Sequence, residues 1–377
     1  MAKRLSYLDN LRSFVIFLVV VMHSNVTYSG MGGWYYKEGD PRSLDRLSLL
    51  VFGLYGSFTQ AWFMGILFFL AAFFAARSLA RRGTGAFLRE RLFRLGIPLL
   101  VYMLVIEPFI GYCLMDYGSV RERLGAGSAY LDYLGSFRWL GSTGPLWFAQ
   151  VLLDFCFIYG IFRAIRPVVK RDSPAPRSGA IVLVILGTGL AAFSIRLCMP
   201  IGTSVANLQF CYFASYVALF VLGLHAGERG WLPEYPERAG LRWFGWTLGL
   251  GVPLWAILMA AGEAAGGIDF AGGMNWQSFA YAFWEAAVAI GMSLGLVAFF
   301  KRFLDRENRI TRILADNSFG VYMFHAPVLI GVSLLLKSWA APMLAKHLVV
   351  APTAFALTLA LSALVLRRIP GIRSILR

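Results

Sequence analysis

Charge is scarce in this chain: 15% of its 377 residues are Asp, Glu, Lys or Arg, against 58% hydrophobic residues. That shortage excludes a soluble globular domain of this length, which needs a far more polar surface. Acidic residues are scarcer than basic ones, 20 against 35, for a formal net charge of +15. Cysteine and histidine number four each. Cys113, Cys156, Cys198 and Cys211 fall in or beside apolar stretches without metal-ligand spacing, so buried packing thiols are expected rather than disulfides. No CxxC, HExxH, GxSxG or P-loop pattern occurs. The usual signatures of a zinc site, a nucleophile elbow and a phosphate-cradling glycine loop are therefore missing, and no metal is expected.

What the sequence does contain is a series of apolar windows near twenty residues, the length a helix needs to cross a hydrocarbon core of about 30 Å. They predict an all-α fold, a polytopic transmembrane helical bundle of about ten spans. The spans fall at 11–30, 59–79, 95–115, 144–165, 179–198, 208–226, 241–260, 276–300, 318–338 and 348–366. The whole chain, 1–377, reads as a single membrane-embedded domain with the lipid bilayer as its partner. With the N-terminus inside, 26 of the 35 basic residues fall on the inner side and 9 on the outer. That asymmetry follows the positive-inside rule and places both termini in the cytoplasm. Topology thus explains most of the charge, and nucleic acid is not an expected partner, because no basic patch sits on a soluble module. The opening MAKRLSYLDNLR leads into an apolar stretch as a signal peptide would, but lacks a small-residue cleavage site, so a retained first helix is expected.

The longest segments between spans are Met31–Phe58 and Asp116–Thr143 outside, with Ala80–Arg94 and Pro167–Ser178 inside. Pro167–Ser178, rich in Pro, Ser and charge, reads as a flexible linker between a four-span and a six-span half. Leu44–Phe58 has apolar residues at helical spacing and is expected to lie along the outer interface before the second span. Trp34, Tyr35, Tyr36, Trp139 and Trp147 read first as interfacial anchors.

Against this background the ionisable residues within spans stand out, since such groups are expensive in lipid and usually face a polar cavity. Arg12 and His23 lie eleven residues apart on the first span. At about 100° and about 1.5 Å per residue, they share a helical face roughly 16 Å apart along the axis. In Phe87–Leu100 (FLRERLFRLGIPLL), Arg91 and Arg94 share a face at the inner boundary, with Arg81, Arg82 and Arg89 nearby. Guanidinium forks match phosphate oxygens, so this patch suits a nucleotide-like donor; a topology signal with lipid head-group contact is the plainer reading from spacing alone. In DNSFGVYMFHAPV, Ser318, Tyr322 and His325 share a face of the ninth span, lining a cavity or forming an interhelical ladder. Asp316 or Asn317 is expected to cap that helix and Pro327 to bend it. GPLWFAQVLLD opens the fourth span with Pro145 at its start and Trp147, Gln150 and Asp154 on one face. Glu107, Asp154 and Glu285 are carboxylates within spans that need Arg or His partners on other helices, while His225 and His347 at span ends are expected to be solvated.

Taken together, YLDNLRSFVIFLVVVMHS, RLFRLGIPLL, GPLWF and SFGVYMFHAPV resemble the acyltransferase 3 family of integral membrane O-acyltransferases, and within it the glucan biosynthesis protein C group. The likeness covers about residues 1–366, and its specificity comes from four motifs occurring in order. It implies acyl transfer from cytosolic acyl-coenzyme A, acetyl or succinyl, to a hydroxyl of an extracytoplasmic glycan or polysaccharide. The setting would be the bacterial inner membrane, with acyl-CoA as co-substrate and no permanently bound cofactor. By the same resemblance His23 matches the essential histidine and Arg12 its paired arginine. Arg91 and Arg94 match the arginines serving the donor, and Ser318, Tyr322 and His325 match a late motif that lines or braces the cavity. A neutral imidazole suits general-base removal of the hydroxyl proton; covalent relay through an acylated His23 is the alternative. A succinyl donor calls for a cation near its free carboxylate, and Arg196 is the candidate. The rival class is a transporter or flippase of a glycan or lipid-linked sugar, disfavoured by the lack of a visible internal repeat. A homo-oligomer is compatible with the sequence.

Overall fold

The computed structural model describes residues 5–115, 129–137, 139–167 and 173–371. Parts of the Asp116–Thr143 segment and of the expected Pro167–Ser178 linker lie outside the described residues. Ten helices are long and apolar enough to cross a membrane. They are α1 (Ser6–Ser29), α2 (Arg46–Arg82), α3 (Thr84–Leu114), α4 (Gly144–Ile165), α5 (Ser178–Cys198), α6 (Phe210–Arg229), α7 (Glu237–Ala264), α8 (Trp276–Phe303), α9 (Arg309–Leu335) and α10 (Met343–Arg368). No strand occurs among the described residues.

The two helices most buried along their length, α2 and α8, form the middle of the bundle. Against them pack α1, α6 and α7, with α9 and α10 completing the side around α1. Small residues permit the closest contact: a Cβ on Gly223 or Gly227 of α6 would lie 2.2 or 2.6 Å from the Phe69 or Phe73 carbonyl oxygen of α2. In an apolar solvent, helix association relies on such close packing because burial from lipid gives no hydrophobic gain.

Several helix starts differ from the hydropathy reading. Leu44–Phe58 is not a separate interfacial helix: Asp45 caps α2, its side chain accepting from the Ser48 amide, and the helix runs 37 residues without a break. Hydrogen bonding to Ser48 holds the Asp45 carboxyl below its usual range. Likewise, Asp316 and Asn317 do not cap α9. Asn308 does, in a reciprocal capping box with Thr311, so both later residues lie inside the helix. Asn317 instead accepts a hydrogen bond from Ser362 on α10.

The third span is the least regular. It contains three π-helical stretches, Leu92–Gly96, Tyr102–Ile106 and Ile110–Leu114, interleaved with Pro98 and Pro108. Proline removes a helical donor and crowds the carbonyl four residues back. For Pro108 that carbonyl belongs to Leu104, and the Tyr130 hydroxyl donates to it at 2.8 Å, while Tyr133 donates to Met103.

Between α1 and α2 the chain folds back over the bundle. The Glu38 and Gly39 amides donate to the Thr27 carbonyl near the end of α1. Gly39 is required there, since a Cβ would sit 1.8 Å from the Tyr28 carbonyl oxygen. Glu38 pairs with Lys346 of α10 at 2.5 Å, and both side chains are nearly buried.

Candidate active site

His23, two turns from the end of α1, meets His325 of α9, 302 residues later in the chain. His23 Nδ1 and His325 Nε2 are 2.9 Å apart, and their rings are inclined by only 19°. The other His325 nitrogen, Nδ1, lies 2.7 Å from the Tyr322 carbonyl oxygen. A carbonyl only accepts, so His325 Nδ1 carries the hydrogen. With both imidazoles neutral, His325 Nε2 then accepts from His23 Nδ1–H, which leaves the lone pair on His23 Nε2 as the free base of the pair. Hydrogen-bond complementarity assigns these tautomers.

Trp34 covers one face of His23. The ring centroids are 3.9 Å apart at 16°, and the indole reaches over His325 at 6.1 Å. The fold-back segment holds Trp34 in place on both sides. On one side the Tyr35 hydroxyl donates to the Glu107 carboxylate of α3 and contacts the Tyr102 hydroxyl at 3.0 Å. On the other, Glu38 joins Lys346 and accepts from Tyr36. Burial, followed by the neighbouring Tyr102 and Glu107, pushes the Tyr35 phenol far above its ordinary range, so it remains a donor. Trp34 and Tyr35, read from sequence as interfacial anchors, thus face inward to the site, and Tyr36 is buried. Their hydrophobicity and position gave the same signal as a membrane belt would.

The remaining expected site residues lie at other levels. Tyr322 is buried and its hydroxyl donates to the Pro145 carbonyl in the turn that opens α4, tying that turn to α9. Ser318 bonds Ser13 of α1 at 3.0 Å, and the two serines line a narrow cleft with Ile16, Val321 and Phe355. Arg12 is drawn to the end of α1, pairing with Asp9 at 3.2 Å and donating to the Ala315 carbonyl. It therefore sits a helix length of roughly 16 Å from His23. The paired arginines of α3 differ in state. Arg94 reaches Glu90, which also engages Arg82. Arg91 stacks on Phe87 at 5.2 Å, and its buried Nε has no hydrogen-bond partner.

The carboxylates within spans sort differently from the expectation. Glu285 does have an arginine: it pairs with Arg196, both fully enclosed, and the guanidinium lies near Tyr212 and Tyr281 at 5.7 and 5.6 Å. Arg196 is thus already charge-compensated, which removes it as a free cation for a succinyl group. Glu107 takes a tyrosine rather than Arg or His, and Asp154 is exposed on α4. His347, expected to be solvated, is buried and bonds Ser24 at 3.0 Å, whereas His225 is exposed and contacts the Trp231 indole N–H. All four cysteines are free; Cys156 and Cys211 are buried, but Cys113 and Cys198 are exposed on their helices. Among the described residues no group of three or more His, Cys, Asp or Glu is placed to hold a metal ion.

This geometry belongs with a family assignment. The acyltransferase domain of the acyltransferase 3 family matches residues 5–367, so the chain is a member of that family of membrane acyltransferases. Similar relatives include the glucans biosynthesis protein C of Salmonella paratyphi B and that of Salmonella enteritidis PT4, each 24% identical over 369 residues. Those alignments cover 92% of this chain and 87% of each relative. The Escherichia coli O1:K1 protein of the same name is 21% identical over 59% of this chain and 58% of its own. No solved structure matches the chain.

Proposed function

We propose that this membrane acyltransferase moves an acetyl or succinyl group from cytosolic acyl-coenzyme A to a hydroxyl of an extracytoplasmic glycan, with His23 as the general base. The observation that carries this reading is the hydrogen-bonded histidine pair, whose proton arrangement leaves His23 Nε2 free while His325 braces its other nitrogen. A base fixed in one tautomer by a second group is the arrangement general-base transfer needs. The acceptor oxygen bonds to the acyl carbon, its proton passes to His23 Nε2, and the carbon–sulfur bond breaks. The sulfur then takes that proton, so ester and free thiol are the products. Direct transfer is favoured over an acyl-histidine relay because His23 keeps its base role in both half-steps without changing tautomer.

Orientation follows from charge. The arginine-rich end, holding Arg12, Arg91, Arg94 and both termini, faces the cytoplasm of a bacterial inner membrane, and the Trp34 end faces outward. Arg91, with a buried donor atom unpaired, and Arg94 take the phosphates of the donor, and Arg12 stabilises charge where the donor enters the bundle. The cleft at Ser13 and Ser318 lies between that end and His23 along α1, in line for the donor's thioester arm.

The test is acyl incorporation in membrane vesicles supplied with labelled acetyl- or succinyl-CoA on the cytoplasmic side and glucan acceptors on the other. Label on glycan hydroxyls, abolished in His23→Ala at normal protein level and raised in donor KM by Arg91→Ala, supports the reading and ranks the donors. Undiminished labelling in His23→Ala removes that residue from catalysis. Glycan translocation without label from either donor establishes the transporter class instead.

A further inference from the structure

Resting on the reading of His23 as the base, we propose that Trp34 is a catalytic residue: its indole Nε1–H donates a hydrogen bond to the acyl carbonyl oxygen as negative charge develops there. The indole of Trp34 lies parallel to His23 at 3.9 Å, closer than any other ring does. Its Nε1 is buried and has no acceptor, although a buried N–H is ordinarily paired. An unpaired donor beside a catalytic base is what an oxyanion site looks like before substrate arrives, because the acceptor atom belongs to the reaction.

The placement allows both groups to act at once. His23 and His325 are nearly coplanar and bonded edge to edge, so the His23 Nε2 lone pair points outward in the ring plane. Trp34 covers the face of that ring and leaves its edge open. A hydroxyl can therefore approach the edge while the carbonyl it attacks lies under the indole rim. As the oxygen–carbon bond forms, the carbonyl π electrons move onto its oxygen, which receives the Trp34 hydrogen bond. The hydroxyl proton goes to His23. Collapse restores the carbonyl, breaks the carbon–sulfur bond and sends the proton on to sulfur. Preorganisation comes from the neighbours on the fold-back segment: Tyr35 is fixed to Glu107 and Tyr102, and Glu38 to Lys346. A donor held this way needs no reorganisation during reaction, which is why oxyanion donors are worth more in an enclosed site than in water.

The experiment replaces Trp34 with benzothienylalanine, an indole isostere with sulfur in place of the N–H, by site-specific incorporation into the full-length protein in vesicles. Trp34→Phe serves as a second, genetically simple variant. The expected result is a fall in kcat of about 10²- to 10³-fold with donor and glycan KM and the pH profile little changed, the usual loss for one oxyanion donor. A kcat within a few-fold of wild type for the isostere overturns the proposal. So does a rise in glycan KM at unchanged kcat, which would make the ring a sugar platform only. His23→Ala is measured alongside: if it retains activity, the base assignment falls whatever Trp34 does, and if it is dead while the isostere is active, only the Trp34 role fails.

Discussion

Two polar clusters are buried in the outer half of this apolar bundle, and they are built on opposite principles. Arg196 and Glu285 carry full charges that cancel, with aromatic rings around the guanidinium. The His23–His325 pair is neutral, is oriented through a backbone carbonyl, and ends in an unshared lone pair. The first arrangement consumes its own reactivity, because each ion is the other's partner and separating them exposes a buried charge. The second conserves reactivity, because one ring spends its donor fixing the other. A buried ion pair in such a protein is evidence of architecture, whereas a buried neutral pair with one nitrogen left over is evidence of chemistry.

The contrast predicts different failures. His23→Ala is expected to lower acyl transfer by at least about 10³-fold, within the span of general-base effects, while leaving the detergent-solubilised protein's thermal transition near wild type. A collapse in stability instead would place the histidines with the structural cluster. Arg196→Met should do the reverse, costing about 3–5 kcal/mol of stability by stranding Glu285, with specific activity retained in the fraction that folds. Adding Glu285→Leu to it should restore much of the loss, and a double variant no better than the single would show that the pair's charges are needed beyond each other. His325→Ala should reduce kcat by about 10²-fold and broaden the pH profile, while His325→Gln, whose amide oxygen can still accept from His23 Nδ1–H, should keep more activity. Equal losses in the two variants would argue against the tautomer assignment. The smallest effect is expected from Lys346→Met, which leaves Glu38 unpaired and loosens the segment carrying Trp34. A few-fold loss in kcat with increased proteolytic cleavage within residues 31–45 would sharpen the distinction; unchanged protease resistance would show that the Tyr35 anchor suffices alone.

How much of this was readable in the sequence follows from what each signal measures. Hydropathy located all ten helices, because lipid demands long apolar runs whatever they pack against. It misjudged their ends, since a window reports where a helix is apolar and not where it is capped. The charged stretch Arg309–Asp316 lowered the signal over the first turns of α9 and hid the Asn308 cap. His23 and His325 were each visible as costly residues in apolar spans, but nothing in either segment encodes that they meet. Trp34 was invisible for a different reason: an aromatic residue just outside a span has the same pattern whether it anchors in head groups or turns inward. Only the glycine at position 39, whose backbone contact forces the chain back onto α1, is a local trace of that turn. The partner of Glu107 was missed because a carboxylate in lipid suggests a cation, while Tyr35 answers with a hydroxyl.

The widened turns of α3 give that helix an arithmetic of its own. Each π stretch holds the equivalent of one residue more than an α-helix of the same rise would need. Removing a single residue from Leu92–Gly96 would allow the chain to tighten to ordinary pitch. Everything downstream would then rotate by about 100°, the angular step of one residue. Glu107 would swing away from Tyr35, and the anchor of the segment above His23 would be lost without any change to a residue that touches it. Spacing along α3 is thus as much a part of the site as the side chains, and a one-residue deletion there should be more damaging than most substitutions.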